Sequence, residues 1–160
     1  MLRDMFVRYF LELSSPFEEV EARLLSSPRD WVPGLARDAE DRAATLMTEV
    51  GFGPQDGLLR KQIEIHVGEP VRMASRTFVP MAWEATGPRV LFPAFSADVE
   101  VAGLGPRRTQ LSISARYDPP LGAVGRALDR ALLHRVAEAT VKDFLDRVGE
   151  RLAAERAPAR

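Results

Sequence analysis

The chain ends in one long amphipathic segment that comes after every strand-like segment, and this order constrains the fold more than any other feature. Tyr117 to Gly122 closes the last strand-like segment, and a helix is predicted from there to about Glu155. Its apolar residues recur with a helical period, so a wide apolar surface must cover them. The sequence therefore predicts a curved sheet wrapped around one terminal helix, an architecture that can hold a ligand. The buried face of that helix is predicted to comprise Leu133, Val136, Ala137, Thr140, Val141, Phe144, Leu145, Val148 and Leu152.

Alternation of apolar and polar residues precedes this helix. An N-terminal segment alternates from Val7 to Leu13, although Phe6 and Phe10 blur its pattern. Four later segments alternate in the same way, which predicts an antiparallel sheet with one dry and one wet face. A loop is predicted at 103–106, before the last of them. Their dry positions are Ile63, Ile65 and Val67, then Val79, Met81 and Trp83, then Leu91, Phe95, Ala97, Val99 and Val101, and finally Leu111, Ile113, Ala115 and Tyr117.

A short helix is predicted directly after the N-terminal strand. Ser15 to Glu18 has the form of a capping box, in which Ser15 accepts the amide of Glu18 and Glu18 bonds back. Pro16 then occupies the first helical position, where the missing N–H of proline costs nothing. We expect this helix to end near Leu25.

A second helix-start signal begins at Ser27, but Pro33 and Gly34 follow it closely. Proline in a helix interior removes a backbone hydrogen bond, so we expect these two residues to interrupt the segment. A longer helix is then predicted from about Leu35 to Val50, with its apolar residues on one stripe.

Length and charge limit the number of domains and the kinds of partner. With 160 residues, 46% of them hydrophobic, the chain can bury one core, and a single domain over residues 1–160 is predicted. A net charge of -1 gives no electrostatic basis for binding nucleic acid. We expect a monomer or a homodimer whose partner is a small molecule.

Cysteine content and hydropathy limit the chemistry and the compartment. The chain has no cysteine, which excludes disulfides, thiolate catalysis and cysteine-ligated metal. No apolar run is long enough for a membrane span, and Asp4 stands where a targeting segment needs basic residues. We therefore expect a cytoplasmic protein that uses no metal and no cofactor. The excess of arginine over lysine and the abundance of alanine resemble the codon bias of a GC-rich bacterial genome, so a bacterial origin is expected.

Candidate acid–base residues are few. His66 falls on the polar side of its strand and His134 near the edge of the helical stripe, so each is interpreted as solvated or locally bonded rather than as a base. Glu84 could place a carboxylate at the rim of a pocket, or it could simply face solvent. Arg72 and Arg76 border a turn and could face an acidic ligand group, or form an ordinary charged loop. No spacing typical of zinc ligands, a catalytic serine or a phosphate-binding loop occurs.

The order of one strand, two short helices, a strand meander and one long terminal helix resembles the helix-grip fold of the START-like or SRPBCC superfamily. Two local features carry the resemblance. Leu13 to Val20, with the sequence LSSPFEEV, is similar to the apolar, Ala-Pro, Glu-Glu-Val run after the family's first strand. The junction from Tyr117 to Gly125, followed by Arg126 to Arg130, is similar to the entry of its long helix. The chain also resembles the bacterial polyketide cyclase or dehydrase-like subgroup.

The resemblance implies an α+β fold in which a curved antiparallel sheet and a long C-terminal helix enclose an apolar cavity. The same residues could instead fill an ordinary core. Tyr9, Trp83 and Tyr117 are the stronger candidates, because a buried hydroxyl or indole N–H must find a hydrogen-bond partner. The alternation nominates as lining residues Tyr9, Ile65, Met81, Trp83, Phe95, Ile113, Tyr117, Thr140 and Phe144.

Functions of different classes fit this reading. The first is binding of a hydrophobic small molecule, lipid-like or polyketide-like, in the cavity. The alternative is a polyketide cyclase, aromatase or dehydratase, in which the cavity folds the substrate and Tyr9, Glu84 or Tyr117 moves protons. A protein-interaction module without a ligand is a third alternative. The superfamily has no universal catalytic motif, so the resemblance assigns no catalytic residue.

Overall fold

Strands and helices follow one another in the predicted order. The computed structural model describes residues 5–49, 62–86, 94–118 and 130–153. The predicted positions Val50 and Leu91 lie outside the described residues. Within them, the elements are β1 (Met5–Leu13), α1 (Phe17–Leu25), α2 (Pro28–Glu49), β2 (Gln62–Val67), β3 (Val71–Arg72), β4 (Arg76–Thr86), β5 (Ala94–Gly105), β6 (Arg108–Asp118) and α3 (Arg130–Ala153).

The described strands belong to one antiparallel sheet. Its order is β1-β6-β5-β4-β2, and the short strand β3 also pairs with β4. Strands β4, β5 and β6 form a meander, whereas β1 pairs with the last strand of the chain. The sheet curves around α3, which packs against β1 and β6 and also against α2. This arrangement confirms the predicted helix-grip fold.

The register aligns the inward-facing residues in rows that cross the sheet. The first row consists of Ile65, Trp83, Phe95, Tyr117 and Met5. The second row consists of Val67, Met81, Ala97, Ala115 and Val7. The third row consists of Val79, Val99, Ile113 and Tyr9. All of these residues are buried or half-buried, which confirms the predicted dry face.

The two aromatic residues that blur the alternation of β1 lie on the outer face of the sheet. Phe6 is 54% exposed and Phe10 is 59% exposed. Between them Arg8 is also exposed, so every second residue of this strand points to solvent. The odd positions of β1 therefore face the core, as the alternation predicts.

Helix α3 buries its predicted stripe against the inner face of the sheet. The side chain of Leu133 lies outside the described residues, as do the predicted helix entry at 119–129 and the predicted end at Glu155. Gly149 lets the helix approach β1 closely, because a Cβ at that position would stand 3.3 Å from both δ-carbons of Leu11. The buried residues of the stripe are Val136, Ala137, Thr140, Val141, Phe144, Leu145, Val148 and Leu152.

The predicted capping box of α1 is wrong. Pro16 occupies the N-cap position, and no described side chain caps the helix. Ser15 is buried one position earlier, where its carbonyl accepts a hydrogen bond from Thr109 Oγ1 at 2.8 Å. This bond anchors the chain to β6, and the helix begins one position later than the capping box requires. Glu18 and Glu19 still lie in the first turn, where the helix dipole favours acids.

The predicted interruption of the second helix is also wrong, since α2 is continuous through Pro33. Trp31 and Val32, immediately before the proline, are both buried. The indole of Trp31 also donates from Nε1 to the carbonyl of Ser26 at 2.9 Å. Burial of these apolar side chains offsets the single backbone hydrogen bond that the proline removes.

The turn between β5 and β6 is shorter than the loop predicted at 103–106. Strand β5 continues to Gly105, and β6 begins at Arg108. A shift of register between Gly103 and Gly105 marks a bulge, which bends the strand locally. The amide of Gly103 donates to the carbonyl of Ser75 at 3.0 Å, which joins this turn to the neighbouring hairpin.

Candidate functional site

Aromatic side chains of the first row pack against one another beneath α3. The ring centroids of Trp83 and Phe95 are 4.7 Å apart, and those of Phe95 and Tyr117 are 5.8 Å apart. Phe144 of α3 covers this row, with its ring centroid 5.6 Å from that of Trp83. Each such ring pair contributes about 0.5–1.5 kcal/mol beyond the area that it buries. We call these four residues the aromatic cluster.

The second row places small side chains beside the aromatic cluster. Ala97 and Ala115 are directly opposite each other across β5 and β6, and both are buried. Ala137 of α3 is buried as well. Because an alanine side chain is a single methyl group, these positions contribute little volume to the space between the sheet and the helix.

The predicted lining residues lie on the inner face or on α3, but not all at one place. Met81 and Ile113 are buried in the second and third rows, next to the aromatic cluster. Ile65 and Tyr9 are half-buried on β2 and β1, at opposite ends of the strand order. Thr140 is buried, and its hydroxyl donates to the preceding turn of its own helix at 2.7 Å. Its proton is therefore engaged within the helix.

His134 connects the aromatic cluster to the surface of α3. The hydroxyl oxygen of Tyr117 lies 3.2 Å from Nδ1 of His134 and 3.0 Å from Sδ of Met5. The other ring nitrogen of His134, Nε2, lies 2.9 Å from Oε1 of Glu138. Sequence analysis interpreted His134 as either solvated or locally bonded, and it missed the contact with Tyr117. The spacing of four between His134 and Glu138 on one helix was the signal that could have identified the pair.

Tyr9 is bound to α3 near the other end of that helix. Its hydroxyl donates to Oδ1 of Asp146 at 3.1 Å, and Lys142 donates to Oδ2 of the same carboxylate at 2.7 Å. Partial burial, followed by the hydrogen bond and charge of Asp146, raises the pKa of Tyr9 above its usual value, although Lys142 acts in the opposite direction. Tyr9 is therefore held as a neutral phenol that ties β1 to α3.

Glu21 is a buried carboxylate that sequence analysis did not single out. Its Oε2 accepts a hydrogen bond from Thr77, and its Oε1 accepts one from Arg72 at 2.8 Å. Arg72 first, and Thr77 second, hold the pKa of Glu21 below its usual value against the opposing effect of burial. The only signal in the sequence was that Glu21 directly follows the apolar Val20 in a predicted short helix. Arg72 thus forms an ion pair with Glu21 of the protein itself, and no acidic ligand is needed to explain its position.

The other polar candidates lie away from the aromatic cluster, or their side chains are not among the described residues. Arg76 forms an exposed ion pair with Glu100 at 2.9 Å. His66 is exposed on the outer face of β2, with Nε2 3.5 Å from Oε1 of Glu64, as its polar register predicts. Glu84 lies opposite Glu64 in the pairing of β2 with β4, but its side chain lies outside the described residues.

Neither a metal site nor a membrane span is found in the described part of the chain. Over residues 5–49, 62–86, 94–118 and 130–153, no three histidine, aspartate or glutamate side chains are grouped so that they could hold a metal ion. The helices in the same ranges are too short or too polar to cross a membrane.

Solved structures share this architecture, although no protein-family model matches the chain and no curated protein matches it in sequence. A conserved protein from Geobacillus kaustophilus is similar over 94% of this chain and 96% of its own, with a TM-score of 0.51 and 14% identity. A protein from Thermus thermophilus has a TM-score of 0.48 and 16% identity, over 96% of this chain and all of its own. The Zhui aromatase/cyclase from Streptomyces sp. R1128 has a TM-score of 0.42 and 12% identity, over 97% of this chain and 99% of its own. At these identities the likeness concerns the fold.

Proposed function

We propose that this chain, a helix-grip protein of the START-like or SRPBCC superfamily, binds a hydrophobic small molecule between its sheet and α3. The ligand would be lipid-like or polyketide-like in its apolar character. The observation that most supports this proposal is the aromatic cluster beside Ala97 and Ala115, under a single helix. Small-molecule sites are mostly apolar, with a few polar groups that fix the orientation of the ligand. Tyr117, at one end of the aromatic cluster, would be such a group.

Native mass spectrometry and probe displacement test the proposal. Protein purified from cells is expected to carry a co-purified guest, or to bind 1-anilinonaphthalene-8-sulfonate and release it when a fatty acid or a polycyclic aromatic compound is added. The absence of both a bound guest and a bound probe would contradict the proposal, because the protein's own side chains would then fill the interior.

A cyclase, aromatase or dehydratase is the second candidate, and the contact between Tyr117 and His134 favours it. A cavity would hold the substrate in a folded shape, while a phenol and an imidazole at one end would move protons. Tyr117→Phe is then expected to lose turnover of a presented poly-β-ketone. Unchanged turnover in Tyr117→Phe, Tyr9→Phe and Glu84→Gln alike would contradict this candidate.

We propose that the protein acts in the cytoplasm, as a monomer or homodimer, on a small-molecule partner and without nucleic acid. Light scattering on the eluted protein distinguishes the two oligomeric states. The protein is expected not to bind nucleic acid, and its retention on heparin, a polyanion, at physiological salt would contradict this expectation.

A further inference from the structure

The contacts of His134 run from the buried aromatic cluster to water. Tyr117 is 1% exposed, whereas the side chains of His134 and Glu138 are 37% and 55% exposed. The phenolic oxygen lies 3.2 Å from Nδ1 of His134, and Nε2 of the same ring lies 2.9 Å from Oε1 of Glu138. These three groups form a continuous chain of contacts from the interior to solvent.

The carboxylate of Glu138 sets the direction of these hydrogen bonds. An ionised carboxylate only accepts hydrogen bonds, so Nε2 of His134 carries a hydrogen. In the neutral imidazole Nδ1 is then an acceptor, and it is a stronger one than the thioether Sδ of Met5 that also lies within reach of the single phenolic proton, so the hydroxyl of Tyr117 donates to Nδ1. The order of hydroxyl, imidazole and carboxylate is the one that activates hydroxyl groups in catalytic triads.

The geometry points to Tyr117 as the group that removes a proton from an apolar ketone held beneath α3, with His134 and Glu138 as positioning residues. This inference rests on the proposed binding function. In the step, a C–H bond next to the carbonyl breaks, and its proton goes to the phenolic oxygen of Tyr117. The phenolic proton passes at the same time to Nδ1 of His134. The C–H electron pair becomes the enolate, and Glu138 stabilises the imidazolium ion.

The coupled transfer removes the proton without forming a buried tyrosinate. A buried tyrosinate carries a large desolvation penalty, which a lone Tyr117 would have to meet. With the relay, the negative charge forms on the enolate of the ligand, and the positive charge forms on His134, which is partly exposed and next to a carboxylate. Met5 Sδ, 3.0 Å from the phenolic oxygen, is only a weak alternative acceptor for the one phenolic proton, so a ligand can take its place without the loss of a strong hydrogen bond.

Solvent deuterium exchange tests the step with a defined probe. The full chain is incubated with 2-tetralone, an apolar aromatic ketone, in D₂O, and NMR follows the loss of the C–H signals next to its carbonyl. We expect Tyr117→Phe to lower the protein-dependent rate by about 10² to 10⁴, the usual contribution of an acid–base group. His134→Gln and Glu138→Gln are expected to lower the same rate. His66→Gln is the matched control and should leave it unchanged, because that histidine and its glutamate lie on the outer face.

Nitrogen-15 NMR of the ligand-free protein shows which ring nitrogen of His134 carries the proton. A merely structural role of Glu138 would not change this position. The chain has 2 histidines, so in the His66→Gln variant all histidine signals come from His134. The neutral ring is expected to carry its proton on Nε2, and Glu138→Gln to increase the population with the proton on Nδ1.

The two measurements separate this inference from the proposed function. A neutral His134 with its proton on Nδ1 in the wild-type protein would overturn the inference. So would 2-tetralone exchange that is no faster with the wild-type protein than with Tyr117→Phe, whether or not the ketone binds. Guest binding without exchange contradicts the inference alone, whereas failure to bind any guest or probe contradicts the proposed function as well.

Discussion

At the scale of single residues, one carboxylate joins several elements of the protein. Glu21 of α1 accepts hydrogen bonds from Thr77 of β4 and from Arg72 of β3. Thr77 is fully buried, so its hydroxyl and the Glu21 oxygen that it binds depend on each other. Removing one partner leaves the other short of a hydrogen bond in a place with little access to water.

We expect Thr77→Val to destabilise the protein. The substitution keeps the shape of the side chain but leaves Oε2 of Glu21 without that donor, at a cost of about 1–3 kcal/mol in the free energy of unfolding. Urea unfolding at neutral pH measures this cost. Ser96→Val, at an exposed position on the outer face of β5, is the control and should change stability by less than about 0.5 kcal/mol.

The pH dependence of stability is also expected to involve Glu21. The pKa of its carboxyl lies below the ordinary value of 4.5 in the folded state. The stabilisation is therefore fully present above the unfolded-state pKa and is lost as the pH falls through the folded-state pKa. Between about pH 7 and pH 3, the free energy of unfolding should fall less steeply in Glu21→Gln than in the wild-type protein.

Urea unfolding at several pH values checks this expectation. Glu19→Gln is the control, because it removes a carboxylate from the same helix that is 58% exposed rather than buried. A Glu21→Gln variant with the same pH dependence as the wild-type protein would show that the buried carboxylate does not contribute.

At the scale of elements, the distance between α3 and the sheet depends on one glycine. A Cβ on Gly149 would stand 3.3 Å from both δ-carbons of Leu11 and 3.7 Å from Cδ2 of Leu111. A larger side chain there must displace the side chain of Leu11 or push the helix away from β1 and β6. By contrast, no described atom lies within 4 Å of a Cβ placed on Gly34 of α2.

We therefore expect the same substitution to have opposite effects in the two helices. Gly149→Leu should lower the free energy of unfolding by about 1–3 kcal/mol, as overpacking of a core does. Gly34→Leu should leave stability unchanged or raise it by up to about 1 kcal/mol, because leucine favours helix over glycine. Thermal unfolding followed by circular dichroism compares the two. Equal effects would mean that α3 does not approach β1 as closely as described.

At the scale of the whole molecule, periodicity alone predicts which side chains face the core. The alternation over β1, β4, β5 and β6 and the stripe on α3 were both confirmed, because each reports a face that must be dry. Register between strands adds what periodicity lacks. It aligns Trp83, Phe95 and Tyr117 in one row, although they lie far apart in the sequence.

The features that the sequence did not predict depend on contacts between distant segments. The partners of Glu21 lie on other elements, and Tyr117 meets His134 only because α3 packs across β6. The interruption expected at Pro33 failed for the same reason, since buried neighbours outweigh the local preference of proline. Local sequence patterns indicate secondary-structure propensity and the buried face of each element. The partners of polar side chains can be identified only once the fold brings distant segments together.

Binding of 1-anilinonaphthalene-8-sulfonate to the wild-type protein, Ala97→Leu and Ala102→Leu tests the central claim most directly. Ala97 is buried in the second row, and Ala102 lies on the same strand but on its opposite face. Circular dichroism first confirms that each variant is folded, because overpacking can cost about 1–3 kcal/mol. The proposed site predicts equal affinity for the wild-type protein and Ala102→Leu, and an affinity at least about tenfold lower for Ala97→Leu, a loss of about 1.4 kcal/mol. Equal affinity in all three proteins would contradict a binding site between the sheet and α3.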